Sequence, residues 1–358
     1  MKQSCDSLNM QVAFVVPGDI NIPTGGYRYD RRILQEWKQL GIPHQLFSLA
    51  GGYPFPSPQD HKQAVEQVPL ITREADVIVV DGLAGGAVPE FMQALAREKP
   101  VVALVHHPLC LENGLDADKA LKLEQAESEG LAHASGVITT SPATAKTVGE
   151  LFNYPALAIR TVLPGVERGK PSNPCLEGPV KLLCIASVIE RKGHAILIEA
   201  LSGLKDLDWS LDLIGLTDVD PALFTRLKQQ TATHGLDDRI RFLGSVDEDA
   251  LERAYQAADV FVLPSLYEGY GMAYAEAIVR GLPVIGTTAG AILDTVPSGC
   301  GLLVPPGNIE ALSGAVRALV TDPSFRIACH RNCLAAEPGF PQWSQSALAF
   351  AHHLETLK

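Results

Sequence analysis

The chain has 358 residues, 46% of them hydrophobic, with 29 basic and 41 acidic side chains and a formal net charge of −12. That is apolar material for about two globular domains, and the acidic balance argues against a broad nucleic-acid surface while leaving room for a local basic site. Seven cysteines, Cys5, Cys110, Cys175, Cys184, Cys300, Cys329 and Cys333, form no CxxC pair. They read as reduced thiols, neither a disulfide frame nor a zinc site. The opening MKQSCDSLNM lacks the apolar core of a signal peptide, and no apolar run approaches the ~20 residues that span a bilayer. The expected location is cytoplasmic, compatible with peripheral contact on the inner face of a membrane.

In chain order, short apolar runs alternate with helix-like segments. VAFVV (12–16), HQLFSL (44–49), VIVVD (77–81), VVALV (101–105), VITT (137–140) and IRTVL (159–163) form a first series. LLCIAS (182–187), LDLIG (211–215), IRFLG (240–244), VFVLPS (260–265) and PVIGT (283–287) form a second. The runs lack polar alternation, as strands buried on both faces of a parallel sheet do. An α/β architecture of two doubly wound halves follows. PGVERGKPSNPCLEGP (164–179), with four prolines and three glycines, reads as the linker. After the breaker AEPGFPQ, SQSALAFAHHLETLK reads as a terminal amphipathic helix.

Candidate sites lie where these strands end. Gly25 and Gly26, in PGDINIPTGGYRYDRR, fall between the first strand and first helix, where amides can meet phosphate or acceptor groups. A plain strand-to-helix turn is the competing reading. Tyr27, Tyr29, Asp30 and the pair Arg31-Arg32 follow as candidate acceptor determinants. His106 and His107 end VVALV at the sheet edge used by α/β sites. Adjacent residues on an extended chain point to opposite faces, which argues against a shared metal. Lys192, in ERKGH, can neutralise a phosphate near a helix start, although an ordinary surface lysine reads the same way. Arg191, its neighbour, should point elsewhere. Asp218 and Asp220 fit a D-x-D pattern but read as loop acids. In LPSLYEGYGMAYAEAIVRGLP a turn with Gly269 and Gly271 leads into a helix from about Met272 to Gly281. Glu268 and Glu276 there are acceptors suited to the hydroxyls of a sugar or ribose, unless one caps the helix and the other is solvated.

Glu268-x7-Glu276 within P-S-x-x-E-G-Y-G-x-x-x-x-E-A, followed by G-L-P-V-I, closely resembles the signature of retaining GT-B glycosyltransferases of family 4, the glycosyl transferases group 1. PTGGY (23–27), ERKGH (190–194), FLGSV (242–246) and GLLVPPGN (301–308) fall in family order. The resemblance implies two Rossmann-like domains facing each other across a cleft. Residues 1–168 would bind acceptor, residues 169–338 would bind the nucleotide sugar, and residues 339–358 would form a helix packing back on the first domain. It implies a hexosyltransferase using a nucleoside-diphosphate sugar, with no metal and no resident cofactor. Implied catalytic residues are His106, favoured over His107 by residue matching, with Lys192 and Glu268. Implied donor contacts are Gly25, Gly26, Ser187, Arg191, Lys192, Val246, Glu268, Gly269, Tyr270, Gly271, Met272 and Glu276, the last on the ribose. Tyr27, Arg31 and His107 remain for the hydroxyl acceptor, be it lipid, metabolite, saccharide or protein. Ser187 departs from the pattern, since the family usually has a basic residue there. A non-catalytic nucleotide-sugar sensor and a GT-B-like epimerase are the alternatives.

Overall fold

The computed structural model describes residues 10–112, 114–174 and 178–357. Cys5, Cys175 and part of the expected linker therefore lie outside the described residues. Two units are present: Met1–Gly165 with Pro341–Lys358, and Val166–Phe340. The division falls at 165/166 where the sequence suggests 168/169, and the return at 340/341 where it suggests 338/339.

The first unit holds six parallel strands: β1 (Val12–Pro17), β2 (His44–Leu49), β3 (Val77–Asp81), β4 (Val101–Val105), β5 (Gly136–Thr139) and β6 (Ile159–Thr161), in the order β2-β1-β3-β4-β5-β6. β1, β3, β4 and β5 are buried along their whole length, which is why their sequences run apolar without alternation. Helix Gly25–Leu40 starts on Thr24, whose hydroxyl accepts from the Tyr27 amide, and ends on left-handed Gly41. The C-terminal helix Trp343–Leu357 packs against it: the Trp37 indole donates to the Ala347 carbonyl at 2.9 Å, and Phe350 meets Trp37 edge-on at 5.3 Å. Gly25 and Gly26 are thus the first residues of a helix and not a loop, as Thr24 takes the capping role.

The second unit repeats the plan with β7 (Val180–Ile185), β8 (Trp209–Ile214), β9 (Ile240–Gly244), β10 (Val260–Val262), β11 (Val284–Thr287) and β12 (Gly301–Val304), ordered β12-β11-β10-β7-β8-β9 and again parallel. In each sheet the chain reverses its direction of winding once, between β1 and β3 and between β7 and β10. Ligands of doubly wound sheets bind beyond the carboxyl ends of strands at such a point. Among the described residues no helix is long and apolar enough to cross a membrane. The Asp218-Val219-Asp220 acids are accounted for in part: the Asp220 carboxylate caps helix Pro221–Thr233 through the Leu223 amide at 2.9 Å.

One buried acid makes the first unit's stability depend on pH. Glu127, on helix Ala117–Leu131, is buried and accepts from the Cys110 amide at 3.1 Å. Burial pushes its carboxyl up to about 7 against the opposing amide bonds. A raised folded value means stability that is complete below the ordinary carboxyl range and lost as pH climbs through 7. Glu127→Gln keeps an acceptor for Cys110 and removes the titration. Urea unfolding of the first unit at pH 5 and pH 8 is expected to show the variant gaining roughly 3 kcal/mol on wild type across that interval.

Candidate functional site

The loop after β7 and the loop after β10 meet at the second sheet's reversal point. Residues Glu190–Lys192 form one 3-10 turn, closed by left-handed Gly193. A Cβ on Gly193 would stand 2.2 Å from the Pro264 carbonyl, and the Leu266 amide donates to the Arg191 carbonyl at 2.7 Å. Glycine is what lets the two loops touch. Their contact delivers Lys192 Nζ to Glu268 Oε1 at 2.6 Å, where Ser265 Oγ also donates at 2.6 Å. Arg191 Nη1 reaches the Tyr267 carbonyl at 2.7 Å and lies 3.5 Å from Glu268 Oε2.

The expectation that Arg191 points away from Lys192 is therefore corrected. Alternation of side chains belongs to extended backbone, and this segment is a tight helical turn whose neighbours converge. Burial would raise the Glu268 carboxyl, yet Lys192 and Arg191 outweigh it and hold it below its ordinary value. The carboxylate is ionised, and it is clasped by cations of its own unit. Burial and Lys192 push the adjacent His194 imidazole down to about 4, leaving it neutral.

Gly269, Tyr270 and Gly271 carry the chain from Glu268 into helix Met272–Ile278, with Gly271 left-handed at φ +91°. The helix ends three residues before the expected Gly281. Tyr270 is buried, and its carbonyl accepts from Thr295. Gly290, also left-handed, lets the 288–291 turn close on Glu268, whose carbonyl accepts from the Ala291 amide at 2.9 Å. Glu276, one helical face along, is buried and accepts from Tyr255 Oη at 3.0 Å; Arg280 holds its carbonyl at 3.0 Å. Ser187 and Val246 are half-buried beyond the ends of β7 and β9. Sequence reasoning missed Ser265, Tyr255 and Gly290. Only Ser265, three residues before Glu268, had a local signal.

The first unit assembles a different cluster. His106 Nε2 lies 3.2 Å from Asp30 Oδ1 and 3.4 Å from Asp81 Oδ2. Asp81 ends β3, His106 follows β4, and Asp30 sits on helix Gly25–Leu40, so the three surround the first reversal point. Gly26 supports the ring: a Cβ there would stand 3.1 Å from His106 Cδ2. Asp81 escaped notice, although an acid closing an apolar parallel strand is a readable signal. His107 turns to Glu112 at 2.8 Å, so the two histidines do part company. Tyr27 and Arg31 brace the preceding loop. The buried Tyr27 phenol donates to the Pro17 carbonyl and Arg31 to those of Ile20 and Ile22.

Residues 167–333 match the family described as glycosyl transferases group 1. The lipopolysaccharide core biosynthesis mannosyltransferase LpsB of Rhizobium meliloti is 31% identical over 49% of this chain and 51% of its own length. The O-antigen chain mannosyltransferase B of Escherichia coli is 28% identical over 58% of each. The chain thus spans about half the length of these curated relatives. A sucrose-phosphate synthase from Thermosynechococcus elongatus superposes with TM-score 0.80 at 20% identity, over 97% of this chain and 99% of that one. Anabaena Alr3699/HepE, solved with UDP-glucose, gives TM-score 0.77 at 19% identity over 97% and 100%. These likenesses establish the fold, two Rossmann-like units of the GT-B type. The segment similar to the glycosyl transferases group 1 family covers nearly all of the second unit.

Proposed function

We propose that the chain is a glycosyltransferase that moves a hexose from a nucleoside-diphosphate sugar to a hydroxyl acceptor, with retention and without a metal ion. The observation that carries this reading is the convergence of Lys192 and Arg191 on Glu268 at the second sheet's reversal point. Sugar hydroxyls are neutral and seek carboxylates; a diphosphate seeks cations. A donor entering here exchanges two internal ion pairs on one carboxylate for complementary contacts to phosphate and hydroxyl. Its phosphates take Lys192 and Arg191, and its hexose hydroxyls take Glu268 and the amides from Gly269 to Met272. Glu276 takes the ribose. Arg191 supplies the second cation missing at Ser187, which supports turnover over a non-catalytic sensor. As the sugar–phosphate bond breaks, charge grows on the departing diphosphate, and cations already in place stabilise it without reorganisation. The relatives named for lipopolysaccharide core and O-antigen chain favour a hydroxyl on a glycan as acceptor.

Glu276→Ala tests the donor assignment. Nucleotide affinity, measured calorimetrically, is expected to fall at least ~10-fold, the loss of a charge-assisted hydrogen bond. Tyr255→Phe, which leaves the carboxylate in place, should fall less. If affinity and transfer both persist at wild-type levels in Glu276→Ala, the ribose contact lies elsewhere. Donor consumed only in the presence of acceptor marks a transferase; binding without consumption marks a sensor.

A further inference from the structure

The Asp30–His106–Asp81 cluster has no part in the reading above, and its charges do not balance without a proton. Both carboxylates are buried, and among the described residues no lysine or arginine pairs with either. Asp30 Oδ2 is buried with no hydrogen-bond partner. Arg31 feels the field of Asp30 but spends its guanidinium on the Ile20 and Ile22 carbonyls, and the other groups facing the cluster are neutral or acidic. The Tyr29 ring meets His106 edge-on at 5.4 Å, the Tyr27 phenol is spent on Pro17, and Asp19 lies in the loop between β1 and the helix, bonded to Asn21. Buried carboxylates without a compensating cation are strongly disfavoured, and among the described residues the imidazole is the only group in contact that can become one. His106 is also firmly placed. Gly26 carries no side chain against its ring, and its carbonyl accepts from Thr144 Oγ1 at 3.4 Å.

Nε2 faces both acids. Nδ1 makes no hydrogen bond among the described residues, and the side chain keeps 21% of its surface exposed. We propose that Asp30 and Asp81 hold His106 as a standing imidazolium whose Nδ1–H is presented to an oxygen of the bound substrate. His106 is then the group that touches substrate, and the two acids are positioning residues that fix its charge and its tilt. Electrostatics agree in direction. Burial opposes protonation of the ring, but Asp30 and then Asp81 outweigh it and raise it to about 10. Burial, helped by Asp81 and opposed by His106, raises Asp30 to about 7. A proton taken up by Asp30 on acidification leaves the ring paired with Asp81, so the imidazolium persists on both sides of neutrality.

The test is a ring-nitrogen NMR titration of the full chain labelled with 15N-histidine, with the His106 signals assigned by their loss in His106→Gln. Wild type is expected to keep both ring nitrogens protonated to at least ~2 pH units above the ordinary histidine value. Asp30→Asn and Asp81→Asn should each lower the midpoint by ~1 unit or more, and Asp30→Glu should return it towards wild type. Circular dichroism confirms that each variant folds; if one does not, the other and the wild-type titration still decide. A wild-type ring titrating near its ordinary value, or midpoints unmoved in both variants, overturns the proposal. The inference rests on the transferase reading only for what the Nδ1–H serves. In a transfer assay, wild type should show a flat kcat profile between about pH 6 and 8, and Asp81→Asn a rate that falls as pH rises. A protonated ring in a chain without transfer activity would sink the transferase reading and leave the imidazolium standing.

Discussion

Lys192→Ala is expected to lower transfer by ~10²–10³-fold, with a smaller effect on acceptor binding, because it removes a cation that meets charge developing on the leaving diphosphate. The same substitution strips Glu268 of its closest cation, at 2.6 Å, inside a buried site. Removing one member of a buried ion pair costs about 3–5 kcal/mol when nothing replaces it. Arg191 at 3.5 Å and Ser265 at 2.6 Å remain, so the loss should sit below that range. Stability and catalysis can be separated. Lys192→Ala combined with Glu268→Gln relieves the stranded charge, and its thermal unfolding should return towards wild type while transfer stays low. Recovery of both, or neither moving in Lys192→Ala, would place the phosphate-facing cation elsewhere. The sign of the pH effect follows too. Glu268 is held below its ordinary value, so its stabilisation is present above the usual carboxylate range and fades on acidification. Without Lys192 that fading should begin at higher pH.

Gly193→Ala is expected to be among the most damaging single methyls in the second unit's site. Two costs add. Left-handed backbone at φ +71° costs a non-glycine residue ~1–2 kcal/mol. The new Cβ would lie 2.2 Å from the Pro264 carbonyl, a backbone atom that cannot rotate away, and overpacking of this kind adds roughly 1–3 kcal/mol. The same unit contains its own control. Gly235 is left-handed at φ +62°, and a methyl added there would meet nothing within 4 Å, so Gly235→Ala should show the backbone cost alone. Chemical unfolding of both variants should find Gly193→Ala the less stable by at least ~1 kcal/mol. Because Gly193 carries Lys192 to Glu268, donor binding should weaken in Gly193→Ala and not in Gly235→Ala. Equal stability of the two would mean that the loops do not need their close approach.

The candidate carboxylates could be singled out in the sequence because their placement is local: Glu268, Gly271 and Glu276 lie on one turn and one short helix, whereas the meeting of Lys192 with Glu268 spans 76 positions and is seen only in the fold. Eleven strands were legible; for the central ones the reason is burial on both faces, which leaves an unbroken apolar run such as VIVVD, whereas β2, β6 and β9 are half-buried or exposed over most of their length. The twelfth, Gly301–Val304, was read only as a family segment. It is four residues long and begins with a glycine at φ +158°, where a Cβ would meet the Val284 carbonyl. Arg191 was misjudged because side-chain direction was inferred from extended geometry in a segment that folds as a 3-10 turn. Asp30, Asp81 and His106 could not be associated at all. Asp30 and His106 are 76 positions apart, and only the strand order β1-β3-β4 brings their elements side by side. Local spacing reveals what a turn or a helix does alone; what a sheet does by juxtaposition waits for the topology.

The central claim is that the second unit holds a nucleoside-diphosphate sugar through Glu276, Glu268 and the Lys192–Arg191 pair. Its most direct test is a thermal-shift screen of uridine, guanosine and adenosine diphosphate sugars on the wild-type chain and on Glu276→Ala. One donor supplied at ~100 times its dissociation constant is expected to stabilise wild type by ~2.7 kcal/mol, and Glu276→Ala should lose most of that gain. A screen in which no nucleotide sugar raises the melting temperature, or in which one does so equally in both proteins, would contradict the account.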